Sequence, residues 1–289
     1  MSNSTENLAT RLSTAAAAGM LLWISRTLLG LLISYPVLLA IRASAMTNGP
    51  DGDTVLFQPG SLLLLELLRL QAAGLAAAAQ ISLLLLGLSA IFELIPLAWA
   101  LDSLLRPGRS LVERLPRAVG LFPKFLALGV IALLVQAAFL LAASLLGAAL
   151  KPVLASSDER LRNIAPIALF GLGLLACGCF GGVLDIARAT LVQRGARGER
   201  VGARDALAHA LLCLRTQPFS VLIGPYPSVA GNALGLLGSA WLLTRFVPVT
   251  ASGVTIALSF GAHQLAMLFG IGWRVRWLGT ALELSADSD

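Results

Sequence analysis

Five stretches of this chain contain no Asp, Glu, Lys or Arg: 70–92, 125–150, 163–184, 216–244 and 246–273. An α-helix needs about 20 mostly apolar residues to cross the hydrocarbon core of a bilayer, and each stretch is long enough. A sixth, shorter run, 27–41, is bounded by Arg26 and Arg42. Composition agrees. Only 12% of the 289 residues are charged and 57% are hydrophobic, with a mean hydropathy of +0.84. Soluble domains carry about 25% charged residues, so this chain has no room for one beside its apolar runs. The expected fold is all-α, a polytopic membrane helical bundle forming one integral membrane domain over 1–289. Its six spans fall at about 27–45, 74–100, 125–150, 164–187, 218–244 and 250–273.

Charge sets the expected orientation. The net charge is +6 and the isoelectric point about 10.0. In a membrane protein such an excess belongs to cytoplasmic loops and gives no reason to expect nucleic acid. Segment 101–124 holds Arg106, Arg109, Arg114, Arg117 and Lys124 against Asp102 and Glu113, and 188–215 is richer still in arginine. Segment 43–61 carries Asp51 and Asp53 and no base. Both basic segments follow even-numbered spans, which predicts cytoplasmic N- and C-termini in a bacterial inner membrane. The start of the chain lacks the basic opening of a cleaved signal peptide, and the first span is expected to be retained.

Three amphipathic segments are expected to lie at the membrane surface, at about 61–72, 109–122 and 202–214. The last two belong to a self-similarity at an offset of 92 residues. The shift carries Glu93 onto Asp185 and Glu113 onto Asp205. It also carries Leu111, Leu115, Ala118, Val119 and Phe122 onto Ala203, Leu207, Ala210, Leu211 and Leu214. That spacing is one face of an α-helix. The opposite faces carry Arg114 and Arg117 in one copy and Arg204 and His209 in the other.

A charge inside a span costs roughly 2.5–3.5 kcal/mol on insertion scales and is therefore usually paired or set in a wet cavity. Glu93, in "FELIP", and Asp185, in "LDIAR", both stand at the cytoplasmic ends of even spans. Arg188 is placed to pair with Asp185 three residues away on the same helical face. Glu93 has no base so close, but Arg26, at the inner end of the first span, can reach it from another helix. Asn232, Gln136 and His263 are the other polar positions of interest, best read as interhelical hydrogen-bonding groups. Gly178 with Gly182, and Gly231 with Gly235, mark close helix contacts. Gly224, Pro225 and Pro227 are expected to break or bend the fifth span.

Catalytic signatures are missing. The chain has no Walker loop, no GxSxG and no HExxH. Cys177, Cys179 and Cys213 are an odd number of apolar-segment cysteines, expected to be free. Asp51-Gly-Asp53 lacks the other ligands of a calcium loop. No cofactor, metal site or catalytic residue is therefore expected.

The acid-x-x-Arg of Asp185, Ala187 and Arg188, followed by the basic amphipathic helix 202–214, resembles a loose group of bacterial six-span membrane proteins. These look like the membrane domain attached to some glycerophosphodiester phosphodiesterases. The resemblance implies a fold and a location; this chain carries no phosphodiesterase domain. The expected role is a non-enzymatic scaffold or accessory subunit that organises lipids or a membrane complex. Its partners would be anionic lipids of the cytoplasmic leaflet and a protein partner or second copy. A small transporter with Glu93, Asp185 and His263 in a polar cavity is the alternative.

Overall fold

In the computed structural model, residues 2–42, 69, 71–109, 111–153, 159–246 and 253–287 are described. All regular structure among them is helical. The helices are α1 (Ser2–Arg42), α2 (Ala72–Phe92), α3 (Leu94–Leu105), α4 (Leu111–Val153) and α5 (Glu159–Ala196). They continue as α6 (Ala203–Thr216), α7 (Pro218–Ile223), α8 (Tyr226–Phe246) and α9 (Gly253–Asp287). The turn at Asp51 and Asp53 and nearly all of the amphipathic segment expected at 61–72 lie outside the described residues.

By length and composition, four helical segments can cross a membrane: Leu12–Ala40, Ala72–Leu105, Glu113–Leu150 and Ile164–Ala196. The pair Ala203–Thr216 and Pro218–Gly235 makes a fifth if its 114° bend lies within one span. The chain is thus a multipass membrane protein, with four or five such segments among the described residues.

The second span is one rod with a flaw. A single residue, Glu93, separates α2 from α3, and the backbone bonds continue across it, Glu93 N–H to Ser89 O and Leu97 N–H to Glu93 O. The cause is Pro96, which has no N–H for the carbonyl four residues back and whose ring crowds that turn. Glu93 therefore sits at the one irregular step of the span.

The amphipathic segments behave differently from one another. α6 stands apart from its span, turned through the 114° bend, and the Asp205 carboxylate accepts the Gly202 N–H at its start. The segment expected at 109–122 is instead the beginning of the continuous helix α4, which runs on through Pro116 and Pro123. The faces are only partly as expected. Ala118, Phe122, Ala203, Leu207, Ala210 and Leu214 lie in or against the core, and Arg117 and Arg204 are exposed. Arg114 and His209, expected on the polar outer faces, are instead buried, at 5% and 6% exposure, while Leu115, Val119 and Leu211 are exposed.

Packing divides the molecule along its length. The buried residues concentrate in α3, the first half of α4, residues 183–193 of α5, α6 and the second half of α9. Leu101, Phe125, Ile186 and Leu278 are all fully buried there. The other halves of the long helices expose leucine after leucine, including Leu84, Leu133 and Leu234. A lipid-facing helix needs no protein to cover it, whereas a helix end crowded with polar groups must satisfy them internally. Close approach fixes the pairs. A Cβ on Gly235 would stand 2.8 Å from that of Ala266 on α9, and one on Gly182 2.6 Å from the Val221 carbonyl on α7. Gln136 Nε2 donates to the Cys177 carbonyl and joins α4 to α5.

One wide cavity of about 850 Å³ is lined by Leu12, Thr14, Pro107, Gln193 and Glu283. The early part of α1, the turn after α3, the end of α5 and the end of α9 therefore share one end of the molecule.

Candidate functional site

The packed end holds a cluster of charged side chains drawn from four helical regions. Asp185, on α5, has both carboxylate oxygens engaged. Arg274 of α9 donates through Nη1 to Oδ2 at 2.5 Å and through Nη2 to Oδ1 at 2.7 Å. Trp277 Nε1 adds a bond to Oδ2 at 2.9 Å, and Arg188 Nη1 reaches Oδ1 at 3.3 Å. Beside it, Arg26 of α1 donates from Nε to Glu93 Oε1 at 2.6 Å. The two pairs face one polar cavity of about 130 Å³, lined by Leu22, Arg26, Glu93, Leu94, Leu97, Arg188 and Arg274.

The pairs differ in setting. The Asp185 side chain is 2% exposed and Arg274 19%, whereas Arg26 and Glu93 are about one-third exposed. Asp185 is a two-pronged, desolvated partner, the geometry in which a carboxylate and a guanidinium bind best. Glu93 holds a single bond at the rim.

The cluster does not cancel. Arg26, Arg188 and Arg274 supply three positive charges and Glu93 and Asp185 two negative, so 3 − 2 leaves +1. Arg188 Nε is buried and without a hydrogen-bond partner.

A second feature adjoins the first. An apolar groove of about 390 Å³ runs between α1 and α2, bounded by Leu29, Gly30, Ile33, Leu86 and Ala90 and closed by Met267. Arg26 and Glu93 line both the groove and the polar cavity. Ser89 also lines the groove; it is 5% exposed and its hydroxyl has no partner.

Of the residues that sequence reasoning singled out, Glu93, Asp185, Arg188 and Arg26 converge here. Glu93 finds its base on another helix, as expected, and Asp185 does pair with Arg188. The closer partners of Asp185 are Arg274 and Trp277, which sequence reasoning missed. Both left a trace: Arg274 ends the 246–273 run, and Trp277 lies 92 residues beyond Asp185. His263 does not join them. It is half-buried on α9, three turns before Arg274, which is about 16 Å along a helix axis. Its neighbour Gln264 accepts the Trp23 N–H at 2.9 Å. Asn232 lies on α8, and its side chain is outside the described residues.

Two further polar knots tie the same end. Arg114 donates to Ser103 and to the Arg106 carbonyl, and stacks 5.4 Å over the Trp99 ring. Asp102 pairs with Arg106 at 2.9 Å. In the other knot, His209 Nε2 meets the Ser285 carbonyl, and Ser285 Oγ donates to Gln193. Cys177, Cys179 and Cys213 are free thiols. Among the described residues no three His, Cys, Asp or Glu side chains gather closely enough to hold a metal ion. Comparison of the chain with family models, with curated proteins and with solved structures finds no match.

Proposed function

We propose that this chain is a non-enzymatic membrane scaffold or accessory subunit that organises lipids or a membrane complex. The observation that carries the reading is that each acid at the inner ends of the even spans is closed by arginine from another helix. Arg26 holds Glu93, and Arg274 holds Asp185. Carboxylates committed in this way tie helices together, whereas a coupling carboxylate of a transporter must change partner or protonation during its cycle.

The frame is a six-span protein of a bacterial inner membrane with both termini in the cytoplasm. α8 and α9 supply the fifth and sixth spans, and the shared end of α1, α9 and both basic turns supports an even number of crossings. The resemblance to the bacterial six-span group fits this frame. The partners are anionic lipids of the inner leaflet and a protein partner or second copy.

A transporter remains the second reading, favoured by the polar cavity and by the bend between α6 and α7. The test is purification in nanodiscs cut from native membranes, followed by mass spectrometry of what stays bound. A stoichiometric protein partner, or a lipid shell enriched in anionic lipids, is the expected result. A lone chain carrying one small polar solute would overturn the scaffold in favour of transport.

A further inference from the structure

The groove and the cavity adjoin, sharing Arg26 and Glu93 in their walls, and differ in chemistry. The groove is apolar on the walls given by Leu29, Ile33, Leu86 and Met267. The cavity beyond its end presents Arg26, Arg188 and Arg274 with one positive charge in excess. An uncompensated cation among membrane helices is costly, and an anion that meets it relieves that cost. The occupant must therefore carry an anionic head small enough for about 130 Å³, with room for roughly four waters at about 30 Å³ each. It must also carry a long apolar tail. Two residues that line the path, Arg188 and Ser89, each carry a buried polar atom, Nε and Oγ, with no hydrogen-bond partner. Guanidinium groups suit phosphate because their planar forks can bind two oxygens at once.

We propose that this site binds one anionic glycerophospholipid. Its phosphate lies against Arg26, Arg188 and Arg274, its ester region lies near Ser89, and one acyl chain lies in the groove between α1 and α2. The proposal rests on the scaffold reading, since a transporter would need the cavity free for its solute. It adds to that reading a defined lipid, held by helices rather than by the basic surface.

The test uses the full chain in a neutral detergent, titrated separately with phosphatidylglycerol and with phosphatidylcholine of the same acyl chains. Native mass spectrometry counts the lipid retained. One retained phosphatidylglycerol is expected, preferred about fivefold over the zwitterionic lipid, the size of effect that one basic group has on anionic lipid binding. Glu93→Gln raises the cluster from +1 to +2. It should tighten retention about fivefold further, an effect that a purely structural salt bridge would not produce. Gly30→Phe fills the groove from a position where an added Cβ meets nothing within 4 Å. It should abolish retention and leave thermal unfolding unchanged. Ala90→Phe, from the α2 wall, gives the same readout if Gly30→Phe does not fold.

Equal retention of the two lipids, or unchanged retention in both groove-filled variants, would overturn the proposal. Stabilisation of wild type and Gly30→Phe alike by inorganic phosphate, without lipid retention, would assign the cavity to a free anion and also overturn it. In either case a co-purifying protein partner would leave the scaffold reading standing.

Discussion

At the scale of single residues, Glu93 and Asp185 occupy equivalent places in the sequence and very different ones in the structure. Asp185 is 2% exposed and holds Arg274 through two bonds, with Trp277 and Arg188 on the same oxygens. Removing one member of a buried pair strands the other, which typically costs about 3–5 kcal/mol. Asp185→Asn should therefore leave Arg274 and Arg188 facing each other unneutralised and lower the unfolding temperature sharply. Glu93 is 33% exposed and holds one bond to Arg26. Glu93→Gln leaves Arg26 without its partner inside a span, but that pair is one bond at the rim, so the loss should be smaller than for Asp185→Asn. Thermal unfolding of both variants in one detergent decides the matter; equal losses would mean the two acids share a single role. The contrast was only half visible in the sequence. The i, i+3 spacing of Asp185 and Arg188 was plain. Arg274 lies 89 residues away from Asp185, at a separation fixed by tertiary packing alone.

At the scale of elements, small residues set how closely helices approach, and this part of the structure was readable. Gly231 and Gly235 mark a contact face, and Gly235 does lie against Ala266 of α9. Gly235→Ala would place a methyl 2.8 Å from the Ala266 Cβ, with the backbone of Ala266 at 3.2 Å. Overpacking of this kind costs about 1–3 kcal/mol, because two backbones must separate rather than one rotamer turn. Gly120 on α4 is the control. An added Cβ there meets nothing within 4 Å, so Gly120→Ala should stabilise by about 0.5–1 kcal/mol through helix propensity alone. Opposite shifts in the unfolding midpoint are expected; a gain at both positions would mean α8 and α9 are not in contact.

Amphipathic faces were read in part, for a definable reason. Helical periodicity locates a stripe but not the tertiary partner of each residue. Ala118, Phe122, Leu207, Ala210 and Leu214 do turn toward the core, and Arg117 and Arg204 do face out. Arg114 and His209 turn inward instead, onto Ser103, Trp99 and Ser285, and Leu115, Val119 and Leu211 face out. Polar groups kept from water must find partners within the protein, and those partners lie on other helices that no local spacing reveals.

At the scale of the whole molecule, the division into a packed polar end and a lipid-facing apolar end dictates topology. Leu12 and Thr14 near the start of α1, and Glu283 near the end of α9, line one cavity together with Pro107 and Gln193. Four long helices are apolar enough to cross, and the bent pair makes a fifth if it is one span. The proposed six-span frame crosses an even number of times and so predicts the exposed turn residues Arg109 and Arg200 on the same, cytoplasmic side as both termini. The three native cysteines are free, so a cysteine-free background can be made by Cys177→Ala, Cys179→Ala and Cys213→Ala. In it, Arg109→Cys and Arg200→Cys should react with a membrane-impermeant maleimide only in inside-out vesicles. Asn48→Cys, in the acidic segment between the first two runs, should react only in right-side-out cells. Labelling of Arg109→Cys and Arg200→Cys from opposite faces would break the even count.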